Sequence, residues 1–224
     1  VDNPVQASIA TGQVVATDVD AGAVLTYSSA NTSSYGTFSL NSSTGAWSYA
    51  LNDTATATQQ LQEGQSVTQN FTVQVSDGLG GVATQLVTVT IDGTNDKPVA
   101  YAAQHSTGEN QTLVMGLPTA SDIDGTIYGY GLVNGPSAGT VNIVGSTGQF
   151  TFDPGTAFDG LAQGQSQVVS FSYGVQDDDG AQSVPQMVSV TVNGANDAPV
   201  VSADSVVAGV VVEAGHNDNG TVFT

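Results

Sequence analysis

Carboxylates recur in three kinds of short segment, each written twice about 100 residues apart. Asp18-Val19-Asp20 is answered by Asp122-Ile123-Asp124. Ser76-Asp77-Gly78 is answered by Gln176-Asp177-Asp178-Asp179-Gly180. Asp92-Gly93-Thr94-Asn95-Asp96-Lys97-Pro98 is answered by Asn193-Gly194-Ala195-Asn196-Asp197-Ala198-Pro199. Side chains two apart on an extended chain point the same way, so each Asp-x-Asp presents two carboxylates to one side. Like charges held that close are unfavourable unless a cation lies between them. The available ligands are hard carboxylate and amide oxygens, with no cysteine and only two histidines. That donor set suits calcium rather than zinc or a redox metal. One isolated Asp-Gly reads as turn chemistry; three matched acidic segments per copy favour a cation site.

The elements that must position these acids follow from apolar alternation. Phe71, Val73 and Val75 alternate with Thr72 and Gln74, and Val87, Val89 and Ile91 with Thr88 and Thr90, the period of a half-buried strand. Phe171, Tyr173, Val175 and then Val188, Val190, Val192 repeat the pattern. The glycine-rich turns at 77–81 and 177–180 make hairpins of these pairs. Shorter hairpins are expected at 37–41 with 46–50 and at 140–144 with 149–152, each turning on Ser-Thr-Gly. Further strands near 5–16, 24–29, 110–115 and 126–133 bring the count to about seven per copy. A short helical turn fits 54–62, and Trp47, Phe71 and Phe171 are candidate core residues. The expected class is all-β: tandem immunoglobulin-like Greek-key sandwiches. The expected divisions are 1–96, 97–197 and the start of a further module at 198–224, within a fragment of a longer repeat array.

Composition narrows the function. Twenty acidic residues face a single basic one, Lys97, for a formal charge of −19. Nucleic acid and anionic membrane surfaces would repel such a chain. The 39% hydrophobic content is spread over alternating runs and provides no membrane insertion. Without cysteine, neither disulfides nor thiolate metal sites are available. The acids recur symmetrically at turns, whereas acid–base catalysis needs an unequal pair in a cleft. No His-Glu-x-x-His motif is present and neither histidine sits in a matched segment, so an enzyme is not expected.

With ATDVDAG, EGQS, VSDG, TVTI and GTNDKP, the first copy resembles the VCBS repeats of large bacterial surface adhesins. With GEN, ASDIDG, QDDDG and GANDAP, the second resembles the bacterial cadherin-like domain. The resemblance implies Ca2+ bound at the seams between consecutive modules. Asp92, Asn95 and Asp96 would supply the linker ligands, and Asp122, Asp124 and either Asp177 or Asp179 would come from the following module. Glu109 would pair with the next linker through Asn196 and Asp197. Asp18, Asp20 and Asp77 are the matching acids of the first copy. Asn193 stands where the cadherin linker has an acid, and Thr94 or Ala195 where it has a second asparagine, which implies fewer ligands than a full cadherin seam.

The function so implied is that of calcium-stiffened extender repeats in a type I-secreted, RTX-type adhesin at the bacterial cell surface. Such repeats space a distal binding domain from the cell in attachment or biofilm formation, their partners being the neighbouring repeats of the same polypeptide. The alternative is a module that itself binds carbohydrate or protein, using Tyr27, Tyr35, Tyr101, Tyr128 and Tyr130 as a platform.

Overall fold

The alternating runs form the longest strands. In a computed structural model describing residues 8–201 and Gly209, β5 (Ser66–Ser76) and β6 (Val82–Asp92) pair antiparallel over eleven residues, from Ser66 opposite Asp92 to Ser76 opposite Val82. The short β2 (Thr26–Ser28) completes their sheet on the β5 side. The facing sheet has the order β1 (Ile9–Gln13), β4 (Ala46–Leu51), β3 (Gly36–Leu40). Its β3–β4 hairpin turns at Gly45, whose φ of +69° is open to glycine and strained for most other residues. The ring of Phe38 from one sheet stacks 4.3 Å from that of Phe71 on the other. Tyr49, Phe71, Val73 and Val89 are buried between the sheets. Trp47 is half-buried rather than central; it stacks on Phe38 at 5.9 Å and covers Gly12 of β1.

The second copy repeats the plan with one strand more. Its strands are β7 (Ala103–Gly108), β8 (Leu113–Gly116), β9 (Ile127–Asn134), β10 (Thr140–Val144), β11 (Gln149–Asp153), β12 (Ser166–Asp177) and β13 (Gln186–Asn193). They form one sheet in the order β7-β13-β12-β9 and another in the order β10-β11-β8. Phe150, Phe152, Phe158, Phe171 and Tyr173 make its core, each such side chain contributing about 1.5–3 kcal/mol on burial. The expected seven strands are present here, whereas the first copy has six among the described residues. The strand that the sequence does not announce is β7, which lacks large apolar side chains and pairs parallel with β13.

The all-β class holds, with a single four-residue helix, α1 (Thr56–Gln59), inside the expected 54–62 turn. No helix of the described residues is long and apolar enough to cross a membrane. Both last strands leave through a glycine under tight backbone contact. A Cβ on Gly93 would lie 2.5 Å from the Leu61 carbonyl oxygen, and one on Gly194 2.5 Å from that of Leu161. Of the expected further module at 198–224, all beyond Val201 except Gly209 lies outside the described residues, as do residues 5–7 of the first expected strand.

Candidate metal centre

The linker after β6 is pinned by buried Pro98 and by Val99, which exchanges backbone hydrogen bonds with Ser121 at 2.7 and 3.1 Å. That bridge brings Asn95 and Asp96 against the acids of the second sandwich. Asp122 folds its Oδ1 back to accept the backbone N–H groups of Asp124 and Gly125, both at 3.2 Å. The turn presents Ile123 to solvent and carries Asp124 inward, where it is 6% exposed. Asp124 Oδ2 accepts the Asp96 N–H at 3.1 Å. At the end of β12, Asp177 is 1% exposed; its Oδ1 accepts the Ala181 N–H at 2.7 Å and its Oδ2 accepts from Asn95 Nδ2 at 3.1 Å.

These contacts leave three buried oxygens with no donor: Asn95 Oδ1, Asp122 Oδ2 and Asp124 Oδ1. A buried acceptor without a partner carries a desolvation cost of about 1–3 kcal/mol, more when charged. Asp124 records that cost. Burial pushes its carboxyl from 3.8 up to about 6; the Asp96 N–H opposes the rise, while the neighbouring Asp122 and Asp96 carboxylates add to it. Among the described residues no three acidic or imidazole side chains converge into a ready-made metal cluster. The donor set instead mixes carboxylate with amide oxygen, all hard ligands of the kind Ca2+ takes. By donor chemistry these residues therefore fit a divalent cation.

The acidic run after β12 divides by direction. Asp177 turns inward, whereas Asp178 and Asp179 are exposed. Asp178, which spacing alone does not single out, accepts the N–H and hydroxyl of Thr126 at 2.8 and 2.9 Å. These bonds hold its carboxyl below the usual range and tie the start of β9 to the loop beside Asp124.

At the other end of this sandwich Glu109 is 1% exposed directly after β7. Its N–H donates to the Asn193 carbonyl at 2.9 Å, its Oε1 accepts the Ala195 N–H at 2.6 Å, and its Oε2 is buried without a partner. Glu109 thus meets the second linker through Ala195; Asn196 and Asp197 are exposed, Asn196 donating to the Asp197 carbonyl at 3.3 Å. Asp92 is also exposed and accepts from Ser66 Oγ at 2.6 Å. In the first copy the turn chemistry repeats on an open surface. Asp18 Oδ1 accepts the Asp20 N–H at 2.8 Å, both acids being exposed, and Asp77 Oδ1 accepts the N–H groups of Leu79 and Gly81 at 2.7 and 2.9 Å.

The five tyrosines do not share one face: Tyr27 lies in the first core and Tyr130 packs 6.3 Å from Tyr173, while Tyr101 and Tyr128 are exposed.

Similar folds occur among solved cadherins. A human CDH23 EC21-23 structure is 18% identical over 81% of this chain and 66% of its own, with a TM-score of 0.47. Mouse Cadherin-23 EC22-24 is 18% identical over 76% of this chain and 53% of its own, TM-score 0.44. Drosophila N-cadherin EC1-3 is 20% identical over 82% and 59%, TM-score 0.35. The chain thus spans between about half and two thirds of the length of these structures. A search among curated proteins found no match. The model of the bacterial cadherin-like domain matches residues 2–93 and again 95–194, so the chain belongs to the bacterial cadherin-like domain family, in two tandem copies.

Proposed function

We propose that this chain is a calcium-stiffened extender segment of a bacterial surface adhesin, holding a distal binding domain away from the cell in attachment or biofilm formation. The observation that carries this reading is the set of buried, partnerless oxygens of Asn95, Asp122 and Asp124 where the linker crosses onto the second sandwich. Ca2+ there would neutralise the acids and tie linker to module. Asp177 joins these residues through the hydrogen bond it accepts from Asn95, and Glu109 prepares the equivalent contact for the linker at 193–199. Asp18, Asp20 and Asp77 offer the matching surface of the first module to whatever precedes it.

On this reading the modules are 1–96 and 97–197, with a further one beginning at 198. The first copy's likeness to VCBS repeats, and with it type I secretion, an RTX-type adhesin and an extracellular location, belong to the same proposal. The role is mechanical rather than enzymatic, since matched acids at successive turns supply links and not one asymmetric site. Strands of up to 12 residues give each sandwich a length of roughly 40 Å at ~3.3 Å per residue, so many in series reach far.

The test is small-angle scattering together with thermal melts in EDTA, in millimolar calcium and in equal magnesium. A calcium-selective rise in melting temperature with a longer, stiffer particle is expected. Combining Asp96→Ala with Asp122→Ala should abolish both effects while leaving each sandwich folded. Identical curves in all three media, or an unchanged calcium response in the double variant, would defeat the proposal.

A further inference from the structure

Asparagine followed at the second place by serine or threonine, with no proline between, is the acceptor pattern for N-linked sugar. Among the described residues it occurs at Asn31, Asn41, Asn52, Asn70 and Asn110, and all five side chains are exposed. These are also ordinary turn and strand-surface residues, so the pattern alone decides nothing. Geometry separates the five. Asn31 Oδ1 accepts the Thr72 N–H at 2.9 Å, and Ser33, its third residue, is bonded instead to the Tyr49 hydroxyl at 2.9 Å. Asn41 Oδ1 takes the backbone N–H groups of Ser43 and Thr44 at 2.9 and 3.0 Å in the β3–β4 turn. Asn70 lies within β5 and accepts from Thr88 Oγ1 across the sheet at 3.0 Å. Asn110 stands beside buried Glu109 in the turn between β7 and β8.

Asn52 differs from the other four. Its Oδ1 accepts both the Thr54 hydroxyl at 2.8 Å and the Thr54 N–H at 3.1 Å, so the third residue of the pattern engages the acceptor amide itself. The backbone around it is fixed. The Asn52 N–H donates to the Tyr35 carbonyl at 2.8 Å, the Ala55 N–H donates to the Asn52 carbonyl at 3.0 Å, and Gln59 Nε2 donates to the Asp53 carbonyl at 2.7 Å. Asn52, Asp53 and Thr54 are all exposed at the start of the loop that joins β4 to β5, where an enzyme can reach them. A carboxamide nitrogen is a poor nucleophile because its lone pair is delocalised onto the oxygen. Loss of an Nδ2 proton puts negative charge on Oδ1, and two donors already placed on that oxygen stabilise the charge as it forms.

We propose that Asn52 is an N-glycosylation site, taking a sugar from a glycosyl diphosphate donor in a reaction catalysed by a separate transferase. Asn52 Nδ2 forms a bond to the anomeric carbon of the sugar, and the bond from that carbon to the diphosphate oxygen breaks. The diphosphate leaves with the electron pair, and a base on the transferase takes one Nδ2 proton. Oδ1 remains an acceptor in the product, so the Thr54 bonds persist. The attached sugar covers the entry to loop 52–65 with bulky, solubilising surface and shields an exposed stretch of the kind that proteases nick first. Asn52 is not among the seam residues, so the outcome bears on this proposal and not on the calcium reading.

The test has two arms. The protein isolated from the cells that make it is cleaved at its acidic residues and its peptides are weighed by mass spectrometry. The peptide holding Asn52 should carry added sugar, a single hexose marking a nucleotide-linked donor and an oligosaccharide a lipid-linked one. In the second arm the folded chain is incubated with UDP-glucose and an N-glycosyltransferase. Asn52 should gain glucose ahead of Asn31, Asn41, Asn70 and Asn110. Thr54→Ala removes the hydroxyl and should slow transfer about tenfold or more, the contribution of a hydrogen bond to a developing charge. Thr54→Ser should keep the rate and Asn52→Gln should abolish transfer at this position, with unchanged melting curves showing the sandwich intact in each. An Asn52 without sugar in either arm, equal transfer to the parent and to Thr54→Ala, or transfer to the other asparagines ahead of Asn52 would overturn the proposal.

Discussion

Replacing Asp124 with asparagine removes a buried charge while retaining an oxygen to accept the Asp96 N–H at 3.1 Å. Without metal, the fold holds this carboxyl at about 6 instead of 3.8, chiefly because it is buried. A carboxyl raised in the folded state contributes its stability fully below the unfolded value and loses it as pH rises through the folded one. Above about pH 6 the ionised form therefore weighs against the second sandwich. At about 1.4 kcal/mol per tenfold change in proton affinity the ceiling is about 3 kcal/mol; relaxation at the linker brings the expected gain from Asp124→Asn to about 1–3 kcal/mol. For a unit of about 100 residues that is at least about 4 °C in melting temperature. In EDTA at pH 7.5 the variant should melt above the parent, and the difference should fade toward pH 4. In calcium the variant's advantage should be largely offset, because the parent gains about 2.7 kcal/mol when the ion is at 100 times its dissociation constant and the variant lacks the ligand charge. Calorimetry at pH 4.5 and 7.5 measures this, with fluorescence of Trp47, the chain's single tryptophan, as a control that should not move. A variant no more stable than the parent in EDTA at pH 7.5, or one that keeps the full calcium response, would refute the reasoning.

Glu109→Ala strands the Ala195 N–H that Oε1 accepts at 2.6 Å and should cost about 1–3 kcal/mol, whereas Glu109→Gln keeps an acceptor and should stay within about 1 kcal/mol; urea titration in EDTA distinguishes them. Phe171→Ala should destabilise the second sandwich by about 3–5 kcal/mol and leave the Trp47 transition in place, while Phe71→Ala should move that transition; coupled losses from either variant would show that the two cores, which share no buried residue, do not unfold independently. Gly194→Ala forces a Cβ to within 2.5 Å of the Leu161 carbonyl oxygen and should cost about 1–3 kcal/mol, read from the same titration.

The strands β5, β6, β12 and β13 were legible because alternation is a local property: the side chain after Phe71 or Phe171 must face the other way whatever else the chain does. The hairpin glycines Gly45 and Gly148, with φ of +69° and +67°, were legible for the same reason. Strand β7 was not. Its inward side chains, Ala103, His105 and Thr107, are small or polar, and its partner β13 lies about 85 residues away.

The sequence by itself determined where the carboxylates cluster and that the module is written twice. It could not tell Asp177 from Asp179, because which member of the run turns inward depends on the register shift at Gln176/Asp177 in β12. Nor could it tell Asp124 from Asp20, since both occupy the same Asp-x-Asp. Tertiary structure decides that: Asp124 is buried and accepts the Asp96 N–H of the linker that the Val99–Ser121 bridge pins down, and Asp20 is exposed. Burial and partnerless acceptors are created by neighbours 28 and 82 positions away in the chain, and no local pattern of residue types encodes what such distant segments bring.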